Sequence, residues 1–146
     1  MATVELRFSA LPEHVRTARL VAAAVARRAG VEEAVLDEVR LAVGEACTRA
    51  VGLHQSNGIS APVRVLLTEE EKQFSIEVGD EAPHAEPGAQ APGATGAGDA
   101  DAEAEEDEMG LAVISGLVDD VEVTAGRDGG RIRMSWPTTP PATLPA

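Results

Sequence analysis

Glu45 and Arg49 lie four residues apart in a helical pattern, and they are the first residues whose types and spacing could support chemistry. A carboxylate on the flank of a helix can act as a general base. The same spacing also describes an ordinary i,i+4 ion pair on a solvated helix face. The spacing alone leaves both interpretations open.

Two other positions have the residue types and surroundings of ligand-binding sites. Asp80 closely follows a β-prone run and precedes a long segment poor in large apolar residues, so it is either a binding residue or a turn-forming acid. Gly110 and Leu111 begin a helical pattern after that segment. Backbone amides and the helix dipole at such a start can hold a phosphate group.

The single cysteine and the three histidines suggest neither nucleophilic catalysis nor a metal site. Cys47 has no evident histidine partner, so we expect a small packing residue. His14, His54 and His84 are dispersed without ligand spacing, which favours surface positions and no metal site. A lone cysteine excludes an intrachain disulfide and favours a reducing compartment.

Length and charge limit the classes of function. A chain of 146 residues fits one domain, and a net charge of −13 argues against nucleic-acid binding, which needs clustered basic residues. The longest apolar run, residues 20–26, is too short to cross a membrane, and the N-terminal residues lack a signal-peptide pattern. We therefore expect a cytoplasmic protein with no membrane anchor.

Hydrophobic periodicity predicts the elements that position these residues. Residues 3–8 alternate as a strand, a first helix runs from Pro12 to Gly30, and a second runs from Glu32 to Val51 or Gly52. Two β-prone runs, residues 62–68 and 73–78, predict an antiparallel hairpin with an acidic turn. A short helix after Met109, a strand at 121–124 and a last strand at 131–136 complete the pattern.

Two segments lack the composition of a packed core. Residues 81–108 contain nine carboxylates and no Lys or Arg, which predicts a flexible acidic lid. Residues 137–146 contain four prolines and predict a disordered tail.

Three motifs, taken in chain order, resemble one family. They are Glu45-Ala46-Cys47-Thr48-Arg49-Ala50-Val51, Val78-Gly79-Asp80, and Met109-Gly110-Leu111-Ala112-Val113-Ile114 with Leu117-Val118-Asp119. From about Val4 to Trp136 the chain resembles the anti-sigma-factor serine kinases of the GHKL, or Bergerat-fold, ATPases. The resemblance implies an α/β fold of the two-layer α+β sandwich type over residues 1–136, with a mostly antiparallel sheet and helices on one face.

The resemblance also implies cofactors and roles. It implies ATP and magnesium as cofactors, Glu45 as the general base, Asp80 as the residue that recognises adenine, and a nucleotide-binding position at Arg49. Gly110 and Leu111 correspond to the second glycine box of the family, near the triphosphate.

The chain departs from the family in all three motifs. The family has a magnesium-binding asparagine at the position of Arg49, and arginine offers donors but no acceptor. Ala82 and His84 replace glycines of the first glycine box, and Glu108 replaces a glycine of the second. These changes predict impaired phosphoryl transfer.

The resemblance therefore leads to a regulatory function. We expect an anti-sigma factor that binds a sigma factor and is controlled by an anti-anti-sigma partner, a STAS-domain protein, with a homodimer as a further expectation. Two alternatives stay open. One is an active ATP-dependent serine kinase that phosphorylates the anti-anti-sigma partner, and the other is an adaptor that binds only that partner.

Overall fold

Five antiparallel strands form one sheet in the computed structural model, which describes residues 2–83, 111–118 and 120–138. The order across the sheet is β1-β2-β3-β5-β4, so the last strand of the chain lies between β3 and β4. The strands are β1 (Ala2–Phe8), β2 (Val63–Glu69), β3 (Gln73–Asp80), β4 (Asp120–Gly126) and β5 (Gly129–Pro137). The predicted hairpin is confirmed as the antiparallel pair β2 and β3.

The helices pack on one face of this sheet. They are α1 (Glu13–Ala29), α2 (Leu36–Ser56) and the short helix α3 at residues 111–117. A 3-10 turn (Glu33–Val35) joins α1 to α2. The predicted stop of α1 at Gly30 is confirmed, because this glycine adopts the left-handed conformation with φ 102° and its amide reaches the last carbonyls of the helix.

The predicted end of α2 near residues 51 or 52 is wrong, since the helix continues to Ser56. Gly52 lies inside the helix without ending it. Tertiary contacts of the last turn outweigh the low helix propensity of one glycine. The consequence is that His54 belongs to the helix and not to a loop.

Strand alternation separates a buried face from an open face. On the buried face the strands present aliphatic residues to α1 and α2, and Phe74 stacks on Trp136 with ring centroids 6.4 Å apart. The buried residues of the central strands are Val63, Val65, Leu67, Phe74, Ile76, Val78, Ile132, Met134 and Trp136. A single sheet with helices on one side confirms the predicted α/β sandwich.

The predicted lid and tail fall mainly outside the described residues, which omit 84–110 and 139–146. Pro137 ends β5, and the amide of Thr138 donates to the Lys72 carbonyl at 3.1 Å, so the sheet and its contacts extend into the predicted tail. Among the described helices, none has both the length and the apolar character that crossing a bilayer requires.

Gly129 begins β5 at the point where the hairpin β4–β5 meets the end of β3. It has φ 139°, a conformation that L residues rarely adopt. A Cβ at this position would overlap the carbonyl oxygen of Asp80. Only glycine therefore lets β5 approach the end of β3 this closely.

We expect Gly129→Ala to lower the free energy of unfolding by about 2 kcal/mol or more, because the methyl group meets both backbone strain and the Asp80 carbonyl. Denaturant unfolding measures this change. Gly126→Ala, on the other side of the same turn, is the matched control because its Cβ meets open space. Equal losses in the two variants would contradict the close approach at Gly129.

Candidate functional site

Glu45 and Arg49 lie on the same flank of α2, and both side chains are half-buried. Within the part of the chain that the structure describes, no ion pair joins them, and the Nε atom of Arg49 is buried without a hydrogen-bond partner. The simple i,i+4 ion pair is therefore not formed. A buried guanidinium nitrogen without a partner carries a desolvation cost that an acceptor would relieve.

Asp80 is the last residue of β3 and is only 7% exposed. Strand alternation places it on the same face as Val78, the face that packs against the helices. Its Oδ1 accepts a hydrogen bond from the amide of Ala82 at 3.0 Å, as in an Asx turn. The turn-forming role of Asp80 is thus present, and its role in adenine recognition stays a prediction.

His54 is completely buried, so the expected surface position is wrong. Its Nδ1 lies 2.9 Å from the Ala61 carbonyl oxygen, and the amide of Glu81 donates to its Nε2 at 2.9 Å. A carbonyl can only accept, so the proton is on Nδ1. The ring connects the last turn of α2 to the chain just before β2 and just after β3. Its position four residues after Ala50, on the buried stripe of α2, was the available signal in the sequence.

The positions of the site residues along α2 can be given relative to His54, which contacts the chain next to Asp80. With a rise of about 1.5 Å per residue, Arg49 lies roughly 7 Å and Glu45 roughly 13 Å from His54 along the helix axis. Asp80 directly precedes Glu81, the residue bound to His54. The end of β3 therefore lies beside the last turn of α2, with Arg49 and Glu45 following in order along one flank.

Leu111 and Cys47 have packing roles. Leu111, the first described residue of α3, is half-buried and packs against the core, while Gly110 lies outside the described residues. The phosphate-binding role of these two residues stays a prediction. Burial raises the pKa of Cys47 to about 12, so its thiol is protonated at neutral pH, as expected for a packing residue.

Comparison with known families supplies the identification. The model of the histidine kinase-like ATPase domain matches residues 8–136, from the end of β1 to the penultimate residue of β5. The chain belongs to the histidine kinase-like ATPase domain family. Among curated proteins, none matches the chain.

Membership of the histidine kinase-like ATPase family implies an ATP-magnesium complex, and Arg49, at the position where the resemblance implies a magnesium ligand, does not fit the ion. Magnesium requires oxygen ligands in a near-octahedral arrangement. Arg49 adds a positive charge and only donors to the flank that carries Glu45.

Replacing His54 with Leu should lower the free energy of unfolding by about 2 kcal/mol, because the Glu81 amide and the Ala61 carbonyl lose their partner. Hydrogen exchange should show faster exchange at the Glu81 amide than in the unchanged protein. The matched control is His14→Leu, since His14 is half-buried and its ring contact is with Phe8. Unchanged exchange at Glu81 would show that the bridge does not hold this segment.

Proposed function

We propose that this chain is an anti-sigma factor built on a histidine kinase-like ATPase scaffold. In this proposal it binds a sigma factor, and an anti-anti-sigma protein with a STAS domain competes for it. Phosphoryl transfer is impaired, so the fold acts as a protein-binding switch. The sigma factor and the STAS-domain partner come from the resemblance of the three motifs to anti-sigma-factor kinases.

The environment of the Arg49 side chain is the observation that supports an impaired nucleotide site. Its Nε is buried without a partner in the described part of the chain, and it forms no ion pair with Glu45 four residues away. Within the described residues, the buried Nε of this guanidinium on the flank of α2 therefore has no acceptor beside it. A second cation is disfavoured next to it by Coulomb repulsion, which is strong in a partly buried site.

The outer surface of the helix layer offers a place for a protein partner. Leu20 on α1 is 59% exposed and Leu41 on α2 is 50% exposed, the two highest values among the large apolar residues that the structure describes. Arg16 and Arg19 are exposed on α1 near Leu20. Arginine is enriched at protein interfaces, and the buried centre of an interface is more apolar than the rest of the surface.

Two alternatives differ from this proposal in measurable ways. An active serine kinase would transfer phosphate from ATP to a STAS-domain protein, and Glu45→Ala would abolish that transfer. An adaptor would bind the STAS-domain protein but no sigma factor. Arg49 has no acceptor atom that could bind magnesium, and this favours the switch over the kinase.

Binding measured by biolayer interferometry with purified sigma factors and STAS-domain proteins of the same genome tests the proposal. We expect a sigma factor to bind, and a double change of Leu20 and Leu41 to Ser to weaken that binding by about tenfold or more, because interface anchors contribute most of the affinity. Val123→Ser on β4 is the control, since Val123 is 49% exposed but lies on the sheet.

Three results would contradict the proposal. Binding of STAS-domain proteins alone would favour the adaptor. Phosphate transfer that disappears in Glu45→Ala would favour the kinase. Equal weakening by the Val123 control would show that the helix surface is not the interface.

A further inference from the structure

The open face of the sheet carries a row of arginines. Arg7 on β1 is paired in register with Arg64 on β2, Arg64 is paired with Gly79 on β3, and Gly79 is paired with Arg131 on β5. Strand alternation points these positions away from the helices, because their neighbours Val65, Val78 and Ile132 are buried on the other face. Three guanidinium groups thus share one row across four strands.

This row is unfavourable without an anionic partner. Like charges directly opposite each other on adjacent strands destabilise a sheet. Two of the three arginines form ion pairs: Arg7 Nε lies 2.9 Å from Glu5 Oε1, and Arg131 Nη1 lies 3.4 Å from Glu77 Oε1. Arg64 has no hydrogen-bond or ion-pair partner among the described residues. Arg64 is exposed, so an anionic group of a partner can reach it.

Gly79 separates Arg64 from Arg131, and the backbone does not require a glycine there. Its φ is not positive, and the atoms nearest to an added Cβ would be the carbonyl oxygens of Arg64 and Gly130, both at an ordinary 3.9 Å. A glycine inside a strand weakens the strand and often marks a close approach by a ligand or another backbone. The absent side chain leaves open space between the two arginines.

That space is part of a cleft of about 510 Å³ lined by Arg64, Gly79, Arg127 and Arg131. A smaller cleft of about 160 Å³ shares Arg64 and Gly79 and includes Arg7. Four acidic residues also line the larger cleft. Glu77 contacts Arg131, and the Oδ1 of Asp80 accepts a hydrogen bond from the Ala82 amide. The other two, Glu81 and Asp128, are exposed. Of the cleft arginines, Arg131 has an ion-pair partner among the described residues, whereas Arg64 and Arg127 have none there.

We propose that this cleft binds an extended acidic peptide segment of a protein partner. Guanidinium groups bind carboxylates through paired, charge-assisted hydrogen bonds. With strands about 4.8 Å apart, Arg64 is roughly 5 Å from Arg7 and roughly 10 Å from Arg131 across the sheet. In an extended peptide, side chains two and four residues apart lie on the same side, about 7 and 14 Å from the first. The larger spacing matches the roughly 14 Å across the sheet from Arg7 to Arg131, and the carboxylate between them lies near Arg64.

An isolated inorganic anion fits the row less well. A single phosphate can contact only one or two of the three arginines, whereas a peptide can span all of them. Arg64 and Arg131 lie on the face opposite α2, away from Glu45 and Arg49, although Asp80 lines both this cleft and the predicted nucleotide site. The peptide binding goes beyond the proposed sigma-factor interaction.

Fluorescence anisotropy with two labelled peptides tests this inference. One is a hexapeptide with Glu at alternate positions, and the other has Gln in place of each Glu. An ionic strength of about 0.15 M screens the long-range repulsion from the acidic chain. We expect the Glu peptide to bind and the Gln peptide not to bind, and Arg64→Gln or Arg131→Gln to weaken binding about three- to tenfold.

Gly79→Val separates a binding role from a structural one. Valine favours strands, and its Cβ has room, so the variant should unfold at the same or higher denaturant concentration than the unchanged protein. Its side chain fills the space between Arg64 and Arg131, so we expect peptide affinity to fall about tenfold or more. Arg16→Gln on α1 is the charge-matched control and should change affinity less than about twofold.

Several results would overturn the inference. They are equal binding of the Gln peptide, unchanged affinity in Arg64→Gln and Gly79→Val, or an equal loss in the Arg16 control. Binding of pyrophosphate without binding of the Glu peptide would also overturn it, because the ligand would then be a small anion.

Discussion

The two hydrogen bonds of His54 are the interaction on which the arrangement of the site depends. They hold the last turn of α2 against the ends of β2 and β3, and they fix the chain immediately after Asp80. On the other side of Asp80, Gly129 lets β5 pack against its backbone. The end of β3 is therefore fixed by a buried imidazole on one side and a glycine on the other. The positions of Glu45 and Arg49 relative to Asp80 follow from this arrangement.

Much of the fold was predictable because its signals are local. Alternation of apolar and polar residues predicted the strands, apolar residues at helical spacing predicted α1 and α2, and Gly30 predicted the end of α1. The end of α2 was not predictable from Gly52, because the stabilising contact of His54 comes from residues before β2 and after β3. The buried state of His54 has the same cause. Its partners are backbone groups, which leave no trace in residue type.

The residues of the candidate site could be predicted from the sequence, but their hydrogen bonds and ion pairs could not. The sequence indicated Glu45, Arg49 and Asp80, and it left the ion pair between the first two open. The unpaired Nε of Arg49 and the turn made by Asp80 depend on side-chain conformation and became evident only from the structure. The arginine row on the open face was missed because its members lie far apart in the sequence, on three different strands. Only the register of the strands brings Arg7, Arg64 and Arg131 into one row.

Among the described residues, Arg64 on the open face of the sheet has no ion-pair partner, and the Nε of Arg49 on the helix side has no hydrogen-bond partner. On the helix side, Arg49 offers donors where the resemblance implies a magnesium-binding acceptor, and the proposed switch without magnesium depends on this difference. Isothermal titration calorimetry with ATP, with and without magnesium, tests that claim most directly. The account predicts a Kd no tighter than about 100 μM that magnesium leaves unchanged. A Kd on the order of 1 μM that requires magnesium would contradict it.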